Sequence, residues 1–206
     1  MTRTKPAEQR RAELLAAGQA LFLAKGIAGT SLDDITQCAG VSKGLFYLYF
    51  GSKEDLVLAL REQFSRDLAD RMRAAAAAIP ASTQAGWAAR LDACVQAGLE
   101  RYRDLHDLHE VLFHHAHGTV QGVQGVRAGP GQPDPAPAPA ARVIGELLAA
   151  GTAAGAFDVP DPESTAVLCY ASMHAFDHDF RGRPGPDDAR LIRAAQLLFR
   201  RAAGLA

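Results

Sequence analysis

Two groups of side chains in this chain have types and spacings that could do chemistry. The first is a set of seven histidines, His106, His109, His114, His115, His117, His174 and His178, confined to two stretches of helical pattern. Imidazole and carboxylate at helical spacing converge well on a transition-metal ion. Glu110, His114 and His117 share one helix face, as do His174 and His178, so a metal-responsive site is one reading. A second is a polar lining for an organic effector, in which His109, His114, His117, His174 and Asp177 face the apolar walls Trp87, Tyr102, Phe113, Tyr170, Met173 and Phe176. The third is that the histidines are solvated or satisfy buried hydrogen bonds, the usual fate of helical histidines. The residues alone leave all three open, and neither a metal-ligand set nor a cofactor is assigned. No His-Glu-x-x-His run or nucleophile elbow accompanies them, so an enzyme, metal-dependent or otherwise, is not the expected class.

The second group suits anions. Lys43 and Lys53 bracket the aromatic run Phe46 to Phe50, and Arg3, Lys5, Arg10 and Arg11 crowd the start of the chain. Affinity for phosphate comes from local positive charge of this kind. The chain as a whole has a net charge of −1, so any such affinity must come from how the charge is distributed, because Asp33, Asp34, Glu54 and Asp55 lie in the same region.

The elements that must position these groups are helical. Apolar residues recur at the helical period almost throughout, and no segment alternates with β-branched residues, so the fold class is all-α. A first helix runs from about Pro6 and ends at Gly26. Ser31, three residues before Asp34, caps a short second helix stopped by Gly40. Ser42 caps a third that carries Leu45 to Phe50, and Ser52 caps a fourth, with Glu54 and Asp55 placed against its N-terminal dipole. The fourth continues along Leu56, Leu60, Phe64, Leu68 and Met72 and closes before Pro80.

Trp87 to about Gly118 makes one helix or two. The Gly/Pro-rich stretch at about 118–140, with its Pro133–Pro139 core, reads as an extended, mobile connection. Helical pattern returns at Ala141–Ala150, and two last helices span roughly Pro162–Phe180 and Asp187–Ala203. About nine helices result.

Three cysteines, far apart and without a Cys-x-x-Cys spacing, argue against a disulfide framework or structural zinc. The polar, basic run Thr2–Arg11 after Met1 is no apolar leader, and no stretch has the uninterrupted apolar length of a membrane span. A cytoplasmic protein that makes no membrane contact is the expectation.

Residues 31–50 have the form of a helix-turn-helix, in which a short second helix enters the major groove while the first braces it across the backbone. Here the chain resembles the tetracycline-repressor (TetR) family of bacterial regulators. The resemblance lies in Thr30-Ser31-Leu32-Asp33-Asp34-Ile35, Ala39-Gly40-Val41-Ser42-Lys43-Gly44 and Phe46-Tyr47-Leu48-Tyr49-Phe50-Gly51-Ser52-Lys53-Glu54-Asp55-Leu56. It is strong from about Arg11 to Leu60 and rests on helical layout beyond.

The resemblance implies a DNA-binding domain over 1–52 and a helical effector-binding and dimerisation domain over 53–206. It implies a regulator, most often a repressor, released from a palindromic operator when a small molecule binds. It further implies that Lys43, Leu45 and Tyr49 face base edges or the adjoining backbone, that Ser31, Ser42, Tyr47 and Lys53 hold phosphates, and that Gly44 allows close approach. The chemistry agrees: hydroxyls and amides at helix starts suit phosphate oxygens, and Leu45 could meet a thymine methyl. The implied partners are double-stranded operator DNA, a small-molecule effector, and a second copy joined through the last two helices. Val41, Phe46 and Phe50 are expected to pack the small core of the head.

Overall fold

A computed structural model of the chain describes residues 6–114, 138–174 and 188–205, and among these every regular element is helical. The helices are α1 (Ala7–Lys25), α2 (Leu32–Ala39), α3 (Lys43–Tyr47), α4 (Lys53–Ala77), α5 (Gln84–Asp104), α6 (His106–His109), α7 (Pro139–Ala153), α8 (Pro162–His174) and α9 (Asp188–Ala202), with a single wider π-type turn at Glu110–His114 after α6. The chain divides into two compact units, one drawn from Met1–Phe64 and Leu105–Val120, the other from Ser65–Asp104 and Gln121–Ala206.

In the first unit the element boundaries follow from local chemistry. Pro6, at the N-cap of α1, supplies a fixed φ and needs no donor there. Ser31 and Asp34 close a reciprocal capping box at the start of α2, the Ser31 amide donating to Asp34 Oδ2 at 2.8 Å and the Asp34 amide to Ser31 Oγ at 3.2 Å. Gly40 ends α2 in the left-handed conformation, φ 64° and ψ 39°, which a residue with a β-carbon resists. The freed carbonyls of Thr36 and Gln37 accept from the amides of Val41 and Gly40 at 2.9 and 3.1 Å. Ser42 and Ser52 cap the next two helices through bonds from the amides of Leu45 (3.2 Å) and Asp55 (3.1 Å).

The core of this unit is built from Leu14, Phe22, Ile35, Phe46 and Leu56, each with no exposed surface. Gly18 of α1 leaves room for Leu56 of α4, whose Cδ2 lies 2.6 Å from where a β-carbon would stand. The first turns of α4 therefore pack into the head, which extends past the residue-52 boundary expected from the sequence. Phe64, His109 and Phe113 form a second aromatic cluster, with His109 stacked on Phe113 at 4.8 Å and Phe64 5.5 Å from His109. Beside it Arg61 sits 5.4 Å over the Phe113 ring and donates through Nε to the Leu112 carbonyl at 2.7 Å; burial pulls the pKa of its guanidinium down from its ordinary value.

In the second unit, α5 buries the stripe Leu91, Cys94, Val95, Gly98, Leu99 and Tyr102, a helical period of one face. Met72 and Met173 fill the space at Gly98. Helix α7 packs along α8. Arg200 of α9 grips the Asp92 carboxylate of α5 through two parallel bonds, Nε to Oδ1 at 2.9 Å and Nη2 to Oδ2. Burial raises the thiols of Cys94 and Cys169, the former to about 12 and the latter to about 11, which leaves both as protonated core residues at neutral pH.

Three sequence expectations shift. The third helix ends at Tyr47 rather than running to Phe50, because Leu48 and Tyr49 turn back with amides bonded to the Leu45 and Phe46 carbonyls. Pro139 belongs to the start of α7, where a proline loses no helical hydrogen bond, instead of to an extended connection. The stretch from Trp87 is one continuous helix to Asp104 followed by the short α6 and the wider turn. Most of the expected mobile connection, His115, His117, Phe176, Asp177 and His178 lie outside the described residues, as do the side chains of His114 and His174.

Candidate nucleic-acid interface

The α2–turn–α3 segment sorts its side chains sharply by face. Phe46 is fully buried, with Phe50 at 5.7 Å and Tyr47 edge-on at 5.8 Å. Its neighbour Tyr47 is 56% exposed and Leu48 is 77% exposed. Ser31, Ser42, Lys43 and Gly44 are exposed as well, while Leu45, Tyr49 and Lys53 are half-buried. The expected core residue Phe50 is buried, with Arg11 stacked over its ring at 5.3 Å, and Val41 is half-buried.

The charges of this surface are engaged within the protein. Lys43 Nζ lies 2.5 Å from Asp33 Oδ1, and that hydrogen bond raises the pKa of the ammonium above its ordinary value. Lys25 Nζ lies 2.7 Å from Asp34 Oδ2; this ammonium, followed by the bonds from Ser31, holds the Asp34 carboxyl far below the usual carboxylate range. Lys53, expected at a phosphate, donates to the carbonyls of Ile27 (2.8 Å) and Thr30 (2.9 Å). Thr30, almost completely buried, bonds through Oγ1 to the Gly26 carbonyl at 2.7 Å. This knot fixes the loop between α1 and α2 to the start of α4. The sequence marks Asp33 and Arg11 only as part of the local balance of charge, and not the partners they take here, Lys43 and the Phe50 ring.

The residues expected around an effector are divided between the two units. Trp87 and Tyr102 stand fifteen positions apart on the single helix α5, roughly 22 Å along its axis. Trp87 packs edge-on against Phe157, with Arg90 over its ring. His109 and Phe113 belong to the first unit, Tyr102, Tyr170 and Met173 to the second. Met173 is a core residue at Gly98, and burial pushes the Tyr170 phenol up to about 12. Among the described residues no group of three His, Cys, Asp or Glu is placed to hold a metal ion.

Capped α2, a tight glycine turn and an outward α3 over a buried phenylalanine define a helix-turn-helix domain. The family described as bacterial regulatory proteins, tetR family, matches residues 14–60. The transcriptional regulator TtgR of Pseudomonas putida is 42% identical over 59 residues, which are 28% of this chain and 28% of that protein. The repressor NemR of Escherichia coli is 32% identical over 115 residues, 54% of this chain and 48% of its own length. The chain thus spans between about a quarter and about half of these curated relatives. A solved structure of a protein of unknown function from Rhodococcus has a TM-score of 0.69 at 22% identity, covering 100% of this chain and 98% of the other, which establishes likeness of fold. Residues 14–60 thus carry the N-terminal domain of the tetR family of bacterial regulatory proteins.

Proposed function

We propose that the protein is a sequence-specific DNA-binding transcriptional regulator whose α3 enters the major groove of an operator. The observation that carries this is the contrast across one peptide bond: Phe46 anchors α3 completely while Tyr47 and Leu48 stand out in solvent. Ser42, Lys43, Gly44, Leu45 and Tyr49 share that segment, and Ser31 begins the bracing helix, so phosphate and base contacts both have donors. Lys53 serves this surface chiefly by holding the loop before α2 in place. A repressor is the favoured sense, since the relative NemR is a transcriptional repressor.

The same reading includes a two-fold dimer through α8 and α9, matching a palindromic operator. It is supported by apolar side chains left exposed on those helices, among them Leu168 at 72% and Leu198 at 49%. A small molecule held in the second unit, with Tyr102, Tyr170 and Met173 as candidate contacts, would release the operator. A cytoplasmic setting and the absence of catalysis complete the proposal; among the described residues no helix is long and apolar enough to cross a membrane.

Polarisation titration of the full chain against duplexes from the DNA upstream of its own gene tests the reading. Saturable binding to one duplex, competed poorly by unrelated sequence, is expected. A folded dimer that distinguishes no duplex at moderate salt would refute it.

A further inference from the structure

Every lysine near the outward face of α3 already has a partner, but the partners differ in kind. Asp34 has a structural task, since it closes the capping box and accepts Lys25. Lys53 holds main-chain carbonyls. Asp33 closes no cap, and its charge in the first turn of α2 favours the helix whether or not it is paired with a lysine. Among the described residues its carboxylate meets Lys43, and its main-chain carbonyl accepts from Thr36 Oγ1 whatever the side chain is. Both members of the pair are well exposed, at 68% for Asp33 and 58% for Lys43. An exposed pair of this kind contributes little to stability, so folding gives little reason for the pairing with Lys43 itself.

We propose that Asp33 is a tethered counter-anion for Lys43, lowering the sequence-independent affinity of the head for duplex DNA. The proposal rests on the reading of α3 as the DNA-facing helix. Non-specific affinity comes mainly from cations that neutralise phosphates and release the counterions condensed on the duplex. Lys43 meets a phosphate only by leaving Asp33, and the carboxylate stays behind beside an anionic surface. The lysine therefore contributes less than one full unit of neutralisation. Contacts to base edges carry a larger share of the remaining affinity, which favours discrimination between operator and bulk DNA.

The test compares the full chain with its Asp33→Asn, Lys43→Ala and doubly substituted variants, titrated by polarisation against a mixed-sequence duplex. Salt is varied from about 50 to about 200 mM. Asp33→Asn should bind more tightly, with a log-affinity against log-salt slope steeper by up to ~0.9, the value of one phosphate. Its advantage over the parent should grow roughly three-fold from the higher to the lower salt. In the Lys43→Ala background, where only the repulsion between Asp33 and the duplex is left to remove, that increment in slope should be clearly smaller. Identical slopes for the parent and Asp33→Asn overturn the proposal, as does an increment of the same size without Lys43. Failure of the folded parent to bind any duplex at the lowest salt instead removes the DNA-binding reading, and this inference with it.

Discussion

Lys53, in the first turn of α4, donates to the main-chain carbonyl of Ile27 twenty-six positions earlier, at 2.8 Å. A second bond to Thr30 makes this one ammonium the tie between the α1–α2 loop and the fourth helix. Hydrogen bonds from a charged donor to part-buried main-chain carbonyls outweigh an exposed ion pair such as Lys43–Asp33. Lys53→Ala should therefore cost about 1–2 kcal/mol of stability, while Lys43→Ala changes stability by less than ~0.5 kcal/mol. Denaturant melts of the two variants decide this. A neutral Lys53→Ala with weakened DNA binding would return Lys53 to the role of a phosphate contact.

Phe46 and Tyr47 provide the opposite contrast, in which adjacent aromatics carry different burdens. Truncating the buried ring in Phe46→Ala should cost roughly 3–5 kcal/mol. Tyr47→Ala should leave the melt almost unchanged yet weaken operator binding about ten-fold or more. Circular dichroism melts beside polarisation titrations separate the two effects, and an operator affinity untouched by Tyr47→Ala would remove that residue from the interface.

The capping box gives the head a definite response to acid. The Asp34 carboxyl is held far below its ordinary range, by Lys25 first and by the Ser31 bonds next. A group whose folded pKa is depressed stabilises the fold above its unfolded value, near ~3.9, and loses that contribution as pH falls through the folded value. Asp34→Asn should consequently lower the melting temperature at neutral pH. The gap between variant and parent should close as the pH falls below about 4. A gap that stays constant from neutral to strongly acidic pH would show that the charge of Asp34 contributes nothing.

What the sequence made legible was chemistry within a few residues. The caps at Ser31, Ser42 and Ser52 and the stops at Gly26 and Gly40 were all readable, because each is a bond between near neighbours. So was the inward placement of Phe46 and Phe50, although Phe50 lies past the end of α3, in the turn before α4. The partners of Lys43 and Lys53 were not, because they depend on how three helices meet. The separation of Trp87 from Tyr102 was not legible for a related reason: both stand on one unbroken α5, and no local signal distinguishes one helix there from two. The end of α3 at Tyr47 was likewise settled by the following turn and not by composition.

Hydrogen exchange of the full chain, followed by mass spectrometry with and without a duplex selected from a random pool, tests the central claim most directly. Peptides covering Ser42 to Phe50 should gain protection on binding, along with the start of α2 at Ser31, and the gain should disappear in Tyr47→Ala. Protection confined to other parts of the chain, with residues 42–50 exchanging at the same rate in both states, would contradict the assignment of α3 to the groove.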